Sequence, residues 1–196
     1  MIYLFSGTPG SGKSLRMAQN IYYKLRRKGN VIANFSINTN AISKNGKKKI
    51  GNFTYVSNSE LTVKFLVEYA KKNHKLNKES QTLICIDEAQ VLFNARSFNN
   101  KDRMEWITFF SQHRKLGYNV ILVSQMDRML DRQIRGLIET EYKFRKINNF
   151  KIGKFIPISL FVQVEYWYGV KEKVGSEMFT YKKLFGNMYD TFTLFE

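Results

Sequence analysis

Short apolar runs alternate along the chain with stretches in which apolar residues recur at helical spacing. Ile2-Tyr3-Leu4-Phe5, Val31-Ile32-Ala33-Asn34-Phe35, Gln81 to Ile86 and Val120-Ile121-Leu122-Val123 are short and β-prone, and they predict strands. The runs ending at Ile86 and Val123 are apolar without alternation, the pattern of a parallel strand covered on both faces. Between them, Leu15 to Lys28 has helical spacing and meets a stop at Gly29-Asn30. Ser57 and Glu60 form a capping box ahead of Leu61, Phe65, Leu66 and Tyr69, which predicts a helix to about Lys72. Asp102 to Lys115 carries Trp106, Phe109 and Phe110 on its apolar side, with Gly117 placed to end it. Asp127 to Glu139 predicts an arginine-rich helix, and Tyr142 to Ile147 a further strand. Strands alternating with helices in this way predict an α/β fold: a mainly parallel sheet flanked by helices.

The polar segments predict the connections. Asn38 to Asn52 contains Asn45-Gly46 and then Lys47-Lys48-Lys49, which suggests a surface turn or small hairpin, read as a solvated loop in preference to a nucleic-acid or lipid contact. Asn73 to Ser80 reads as a loop in which His74 is exposed and incidental. The last fifty residues differ in character. Phe155 to Tyr168 is β-prone, broken early by Pro157, and Met178 to Tyr181 can pair with it across the turn-like stretch Gly169 to Ser176. This predicts an antiparallel edge, with 148–196 as a β-rich appendage to a core of 1–147 in the same domain. Its aromatics Tyr166, Trp167, Tyr168, Phe179 and Tyr181 stand among lysines, where they read as strand core more readily than as platforms for bases.

Composition narrows the setting. At 196 residues the chain is long enough for one domain with a full core. Its 32 basic against 16 acidic residues give a net charge of +16. Nucleic acid or an acidic membrane surface is a fitting partner for that excess, which simple solubility explains equally well. Cys85 stands alone inside Leu83-Ile84-Cys85-Ile86, so an internal disulfide is excluded and a buried thiol in a cytosolic compartment is expected. No apolar run approaches the roughly 18 residues of a membrane helix, and with only six residues before Gly7 no secretory signal is expected.

The chemistry is concentrated in Gly7-Thr8-Pro9-Gly10-Ser11-Gly12-Lys13-Ser14, which matches G-x-x-x-x-G-K-[ST] between a predicted strand and a predicted helix. Such a loop turns its backbone N–H groups toward phosphates at a helix start, so Gly7, Thr8, Pro9, Gly10, Ser11, Gly12, Lys13, Ser14 and Leu15 are expected to bind nucleotide. Lys13 would reach the β- and γ-phosphates, and the Ser14 hydroxyl would hold Mg²⁺. Asp87-Glu88 ends an apolar strand, where such sheets place ligands. Asp87 is expected on Mg²⁺ opposite Ser14, and Glu88 on the attacking water as general base. Gln125, at another strand end, is a candidate for sensing the γ-phosphate or simply a strand terminus bonding to backbone. Arg128, Arg132 and Arg135 are spaced four and three apart, which suits an arginine finger as well as a solvated basic face.

Together these blocks resemble the amino-terminal ATPase domain of the zonula occludens toxin (Zot) family of filamentous phage assembly proteins. The likeness rests on the loop above, on Ile84-Cys85-Ile86-Asp87-Glu88-Ala89-Gln90, on His113-Arg114-Lys115-Leu116-Gly117-Tyr118-Asn119-Val120-Ile121-Leu122-Val123-Ser124-Gln125, and on Asp131-Arg132-Gln133-Ile134-Arg135. The last two blocks are the more family-specific. The resemblance implies an additional-strand P-loop NTPase akin to RecA and the FtsK and HerA motors, using ATP and Mg²⁺; a homo-oligomer is expected if an arginine must come from a neighbour. Single-stranded phage DNA, coat protein and an inner-membrane partner are the targets it implies, in the host cytoplasm or at the cytoplasmic face of the inner membrane. Family members usually continue into a membrane helix, so a chain ending at Glu196 implies a piece of a longer protein or one anchored by a partner. A P-loop small-molecule kinase and a nucleotide-gated module without turnover are the alternative readings.

Overall fold

In the computed structural model, which describes residues 1–96, 100–152 and 156–189, the strands form one eight-stranded sheet in the order β3-β2-β4-β5-β1-β6-β7-β8. β1 (Ile2–Ser6), β2 (Asn30–Ala33), β3 (Phe53–Tyr55), β4 (Thr82–Ile86), β5 (Tyr118–Ser124) and the start of β6 (Thr140–Ile152) run parallel to their neighbours. β7 (Ile156–Trp167) and β8 (Glu172–Thr180) continue the same sheet antiparallel.

The parallel strands are buried on both faces because their side chains alternate between two apolar layers. Ile2, Leu4, Ile84, Ile86, Val120 and Leu122 face one layer, built with Leu66 of α3 (Val63–Asn73) and Trp106, Phe109 and Phe110 of α4 (Asn100–Gln112). Phe5, Leu83, Cys85, Ile121 and Val123 face the other, against Met17, Ala18, Ile21 and Leu25 of α1 (Lys13–Arg26). Cys85 is fully buried there, and burial pushes its thiol far above the ordinary range. The short helices are α2 (Thr39–Ser43), α5 (Arg132–Arg135) and α6 (Lys183–Gly186).

Several local expectations are corrected. The arginine-rich helix over Asp127 to Glu139 does not form. A 3₁₀ turn at Asp127–Met129 gives way to extended backbone at Leu130, and α5 starts afresh. Asp131 dictates the break: its carboxylate accepts the N–H groups of Gln133 and Ile134, while its own N–H donates to the Phe93 carbonyl at 2.8 Å. Arg128 and Arg132 therefore share no helical face. Ser57 does bond Glu60 at 2.7 Å, but that pair closes a turn, and Thr62 is the cap of α3. His74 is not loosely exposed: its ring is half-buried, 2.6 Å from both the Leu116 carbonyl and the Thr82 hydroxyl, and burial lowers its pKa. At 38–52 there is no hairpin; Asn38 caps α2, and a turn follows at left-handed Lys44 and Asn45. β8 begins at Glu172, inside the stretch expected to be turn.

Among the carboxy-terminal aromatics, Phe179 stacks on Phe161 with centroids 5.4 Å apart, as core residues do. Trp167 and Tyr181 are exposed instead. Tyr166 lies under the Lys143 ammonium at 5.1 Å, and the Tyr168 hydroxyl donates to Asp127 at 3.2 Å.

Candidate nucleotide site

β1 delivers the chain to the loop at Ser6, and sterics explain its glycines. At Gly7, φ is +147° and a Cβ would stand 2.5 Å from the Phe144 carbonyl oxygen of β6. At Gly12, φ is +97° and a Cβ would stand 2.8 Å from the Phe161 ring of β7. The antiparallel hairpin thus backs directly onto the loop. No side chain caps the start of α1, so its first N–H groups are left for an anion. Beneath the loop the Ser11 hydroxyl is buried and has no hydrogen-bond partner among the described residues. Thr8, Pro9 and Gly10 form the exposed rim, and Leu15 packs its partly buried side chain into the apolar layer beside α1.

Lys13 folds back over this loop. Its ammonium donates to the carbonyls of Gly7 at 2.7 Å and Thr8 at 3.0 Å. Burial lowers its pKa, while Glu88 and Asp87 oppose that shift, which places the cation in the field of both carboxylates.

The carboxylates stand at the end of β4, one register step from the end of neighbouring β2. Asn34 holds Asp87 there through both backbone groups: its Oδ1 accepts the Asp87 N–H at 2.8 Å, and its Nδ2 donates to the Asp87 carbonyl at 2.9 Å. The Asn34 amide also donates to Asn58 at 2.8 Å. Asp87 Oδ1 accepts the Glu88 N–H at 2.9 Å, and Oδ2 accepts a hydrogen bond from the hydroxyl of Tyr189. Burial raises the Asp87 pKa above the ordinary carboxylate range; the bonds from Tyr189 and the Glu88 backbone pull it partly back. Glu88 adopts a left-handed backbone, φ +47°, and its exposed carboxylate accepts a bond from Gln90.

Gln125 follows β5 at this same end of the sheet, and its carbonyl accepts the Gly7 N–H at 3.2 Å; its side chain is exposed. Arg128 and Arg132 are exposed beyond it. Arg135 is partly buried, with Nη1 3.9 Å from Asp127. Asp131 pairs with Arg103 at 3.3 Å.

Sequence reasoning missed two residues that shape the site. Asn34 has a signal, a polar residue closing an apolar run at the ligand end of the sheet. Tyr189 has none, since it reaches the site from 102 positions away.

The donors present fit a nucleotide with Mg²⁺. A left-handed glycine cradle, an uncapped helix start and an orphaned buried hydroxyl suit phosphate oxygens. The Tyr189 hydroxyl donates to Asp87 and lies beside the Ser14 side chain, which brings the two oxygens into one neighbourhood. Two hard oxygen donors suit an ion that keeps most of its water. Among the described residues no group of three or more His, Cys, Asp or Glu side chains could form an all-protein cage. No helix among them is long and apolar enough to cross a membrane.

Comparison with known proteins agrees with this architecture. The Gene 1 protein of Enterobacteria phage I2-2 is 26% identical over 152 residues, which are 77% of this chain and 42% of the relative. The Gene 1 protein of Enterobacteria phage M13 is 27% identical over 143 residues, 70% of this chain and 39% of the relative. The chain thus spans about two fifths of the length of these relatives. The crystal structure of the N-terminal domain of zonular occludens toxin from Neisseria meningitidis superposes with a TM-score of 0.59 at 23% identity, over 96% of this chain and 98% of that one. The genome packaging NTPase B204 from Sulfolobus turreted icosahedral virus 2, in complex with ATP-gammaS, gives 0.56 at 13% identity, over 90% and 95%. These likenesses show the fold of a P-loop NTPase. Residues 1–192 match the family model "Zonular occludens toxin (Zot)", and the chain belongs to that family.

Proposed function

We propose that this chain is an ATP-hydrolysing engine domain that acts in phage assembly or export, in the host cytoplasm and as a homo-oligomer. The observation that carries the reading is the convergence of a phosphate-shaped loop and two adjacent carboxylates on one end of the sheet, with Lys13 in the field of both. Family membership and the fold shared with a genome packaging NTPase support it. Residues 148–196 are read as an appendage that braces the loop, through Phe161 against Gly12.

Each residue then has a part. The N–H groups left free at the start of α1, from Gly12 to Leu15, orient the phosphates. Lys13 exchanges the carbonyls of Gly7 and Thr8 for phosphate oxygens, and so neutralises charge without a large movement of its stem. Ser14 and Asp87 would hold Mg²⁺, which supplies further charge neutralisation when bound. Glu88 turns from Gln90 to accept the proton of the attacking water, with Gln125 at the end of neighbouring β5 to orient that water. Arg128 and Arg132, exposed at the rim, are positioned to serve a neighbouring subunit's phosphates, while Arg135 is drawn toward Asp127. The positive excess suits single-stranded phage DNA, coat protein or an anionic inner-membrane partner.

Titration of a fluorescent ATP analogue into two variants tests the assignment. Lys13→Ala is expected to lose binding, whereas Glu88→Gln keeps it and loses turnover. Equal loss of binding in both contradicts these roles.

A further inference from the structure

The carboxy-terminal segment crosses the nucleotide site and is fastened along the way. Phe185 of α6 packs against Tyr22 and Tyr23 of α1, with centroids 5.5 and 6.2 Å apart. Met188 is fully buried, and its carbonyl accepts the Asn38 N–H at 3.0 Å. Tyr189 forms an isolated antiparallel bridge with Ile37 and lays its ring 4.9 Å from Phe35. These contacts aim its phenol between the loop and the end of β4. There its hydroxyl bonds Asp87 Oδ2 and also meets the Ser14 side chain.

A phenol has one proton and two lone pairs. The proton goes to the Asp87 carboxylate, which only accepts, and the phenol oxygen lies beside the Ser14 side chain. One oxygen assigned to Mg²⁺ is thereby committed to a neutral hydroxyl. A buried tyrosine with a purely structural task does something simpler in this protein: the Tyr118 hydroxyl donates to a backbone carbonyl, that of Leu66, at 2.7 Å. Tyr189 instead bonds a side chain that belongs to the proposed chemistry, Asp87 at the end of β4.

We infer that Tyr189 is a wedge in the metal position: its hydroxyl and a divalent cation compete for Asp87 beside Ser14, and the strap 185–189 must loosen for Mg·ATP to load. The inference rests on the ATP and Mg²⁺ reading above. The fastening suits a release of this kind. Phe185 is anchored by burial, whereas the main chain at Met188 and Tyr189 is held to Ile37 and Asn38 by one isolated bridge and not by a ladder. Its end can lift while the anchor remains packed. Tyr189 acts through Asp87 and is a positioning residue.

The test compares the affinity of a fluorescent ATP analogue in EDTA and in Mg²⁺ for wild type and Tyr189→Phe. Loss of the hydroxyl is expected to leave the EDTA value unchanged and to increase the tightening produced by Mg²⁺ by about three- to tenfold, the worth of one exchanged hydrogen bond. An unchanged or smaller Mg²⁺ effect overturns the wedge, because the phenol would then be neutral or supportive. Hydrogen exchange on the wild type reads the strap directly. The Asn38 amide should exchange faster with Mg²⁺ and a non-hydrolysable analogue than with the analogue in EDTA, and equal protection also overturns the inference. A wild type that binds the analogue in neither buffer contradicts the nucleotide-site reading itself and takes the wedge with it.

Discussion

Asn34 grips Asp87 by both backbone groups, accepting its N–H at 2.8 Å and donating to its carbonyl at 2.9 Å. A side chain at the end of β2 thus fixes the backbone at the end of β4, just where the sheet ladder stops. Asn34→Ala leaves those two groups without partners and is expected to cost about 1–3 kcal/mol of stability. Because Asp87 is then less well held, the variant should also need more Mg²⁺ for nucleotide binding. Denaturant unfolding and a Mg²⁺ titration check this; unchanged values in both would contradict it.

The parts of this arrangement legible in the sequence are those written in local pattern. β1, the loop and α1 follow from a short apolar run, a fixed glycine spacing and a helical period, all within 28 residues. Asp87 and Glu88 are legible because an unbroken apolar run ends in them. The Asp127 to Glu139 segment misleads, since its spacing is helical but Asp131 prefers to cap, and a cap inside a periodic run looks like any other polar position. β3 is three residues long and is a strand only because β2 offers it an edge. Tyr189 lies beyond any local rule: its task is defined by a partner at 87, and only the folded chain brings the two together.

The hairpin behind the loop makes a second prediction. Phe161 is buried, stacks on Phe179 and fills the space where a Gly12 side chain would be. Phe161→Ala should destabilise the protein by about 3–5 kcal/mol. A milder Phe161→Leu, which keeps most of the volume, should preserve the fold and nucleotide binding. Thermal unfolding and analogue titration on the pair separate packing from chemistry; equal stability in wild type and Phe161→Ala contradicts the bracing role.

Asp87 gives a pH dependence with a definite sign. Burial raises its carboxyl above the unfolded value of 3.8, so between that value and the raised one the folded state binds more protons than the unfolded state. Its contribution therefore falls as pH rises through this window. Asp87→Asn, neutral throughout, should lose that dependence and be the more stable protein on the neutral side. Urea midpoints from about pH 4 to 7 for both proteins report it. A difference that does not change with pH contradicts the buried-charge account.

The arginines should separate by task. Arg135 faces Asp127 at 3.9 Å, and losing so loose and partly exposed a pair should cost less than about 1 kcal/mol. Arg128 and Arg132 are exposed, so alanine at either should leave stability unchanged. If one of them supplies charge to a neighbour's phosphates, its loss lowers turnover by about 10³ to 10⁵. Mixing that variant with Glu88→Gln should then restore activity, since each lends what the other lacks. Failure of every mixture to recover contradicts supply between subunits.

Phosphate release from ATP and Mg²⁺, measured over a wide range of protein concentration with Glu88→Gln as control, tests the engine most directly. Specific activity should rise with concentration and vanish in the variant, as a site completed between subunits requires. A flat rate equal to that of Glu88→Gln would contradict it.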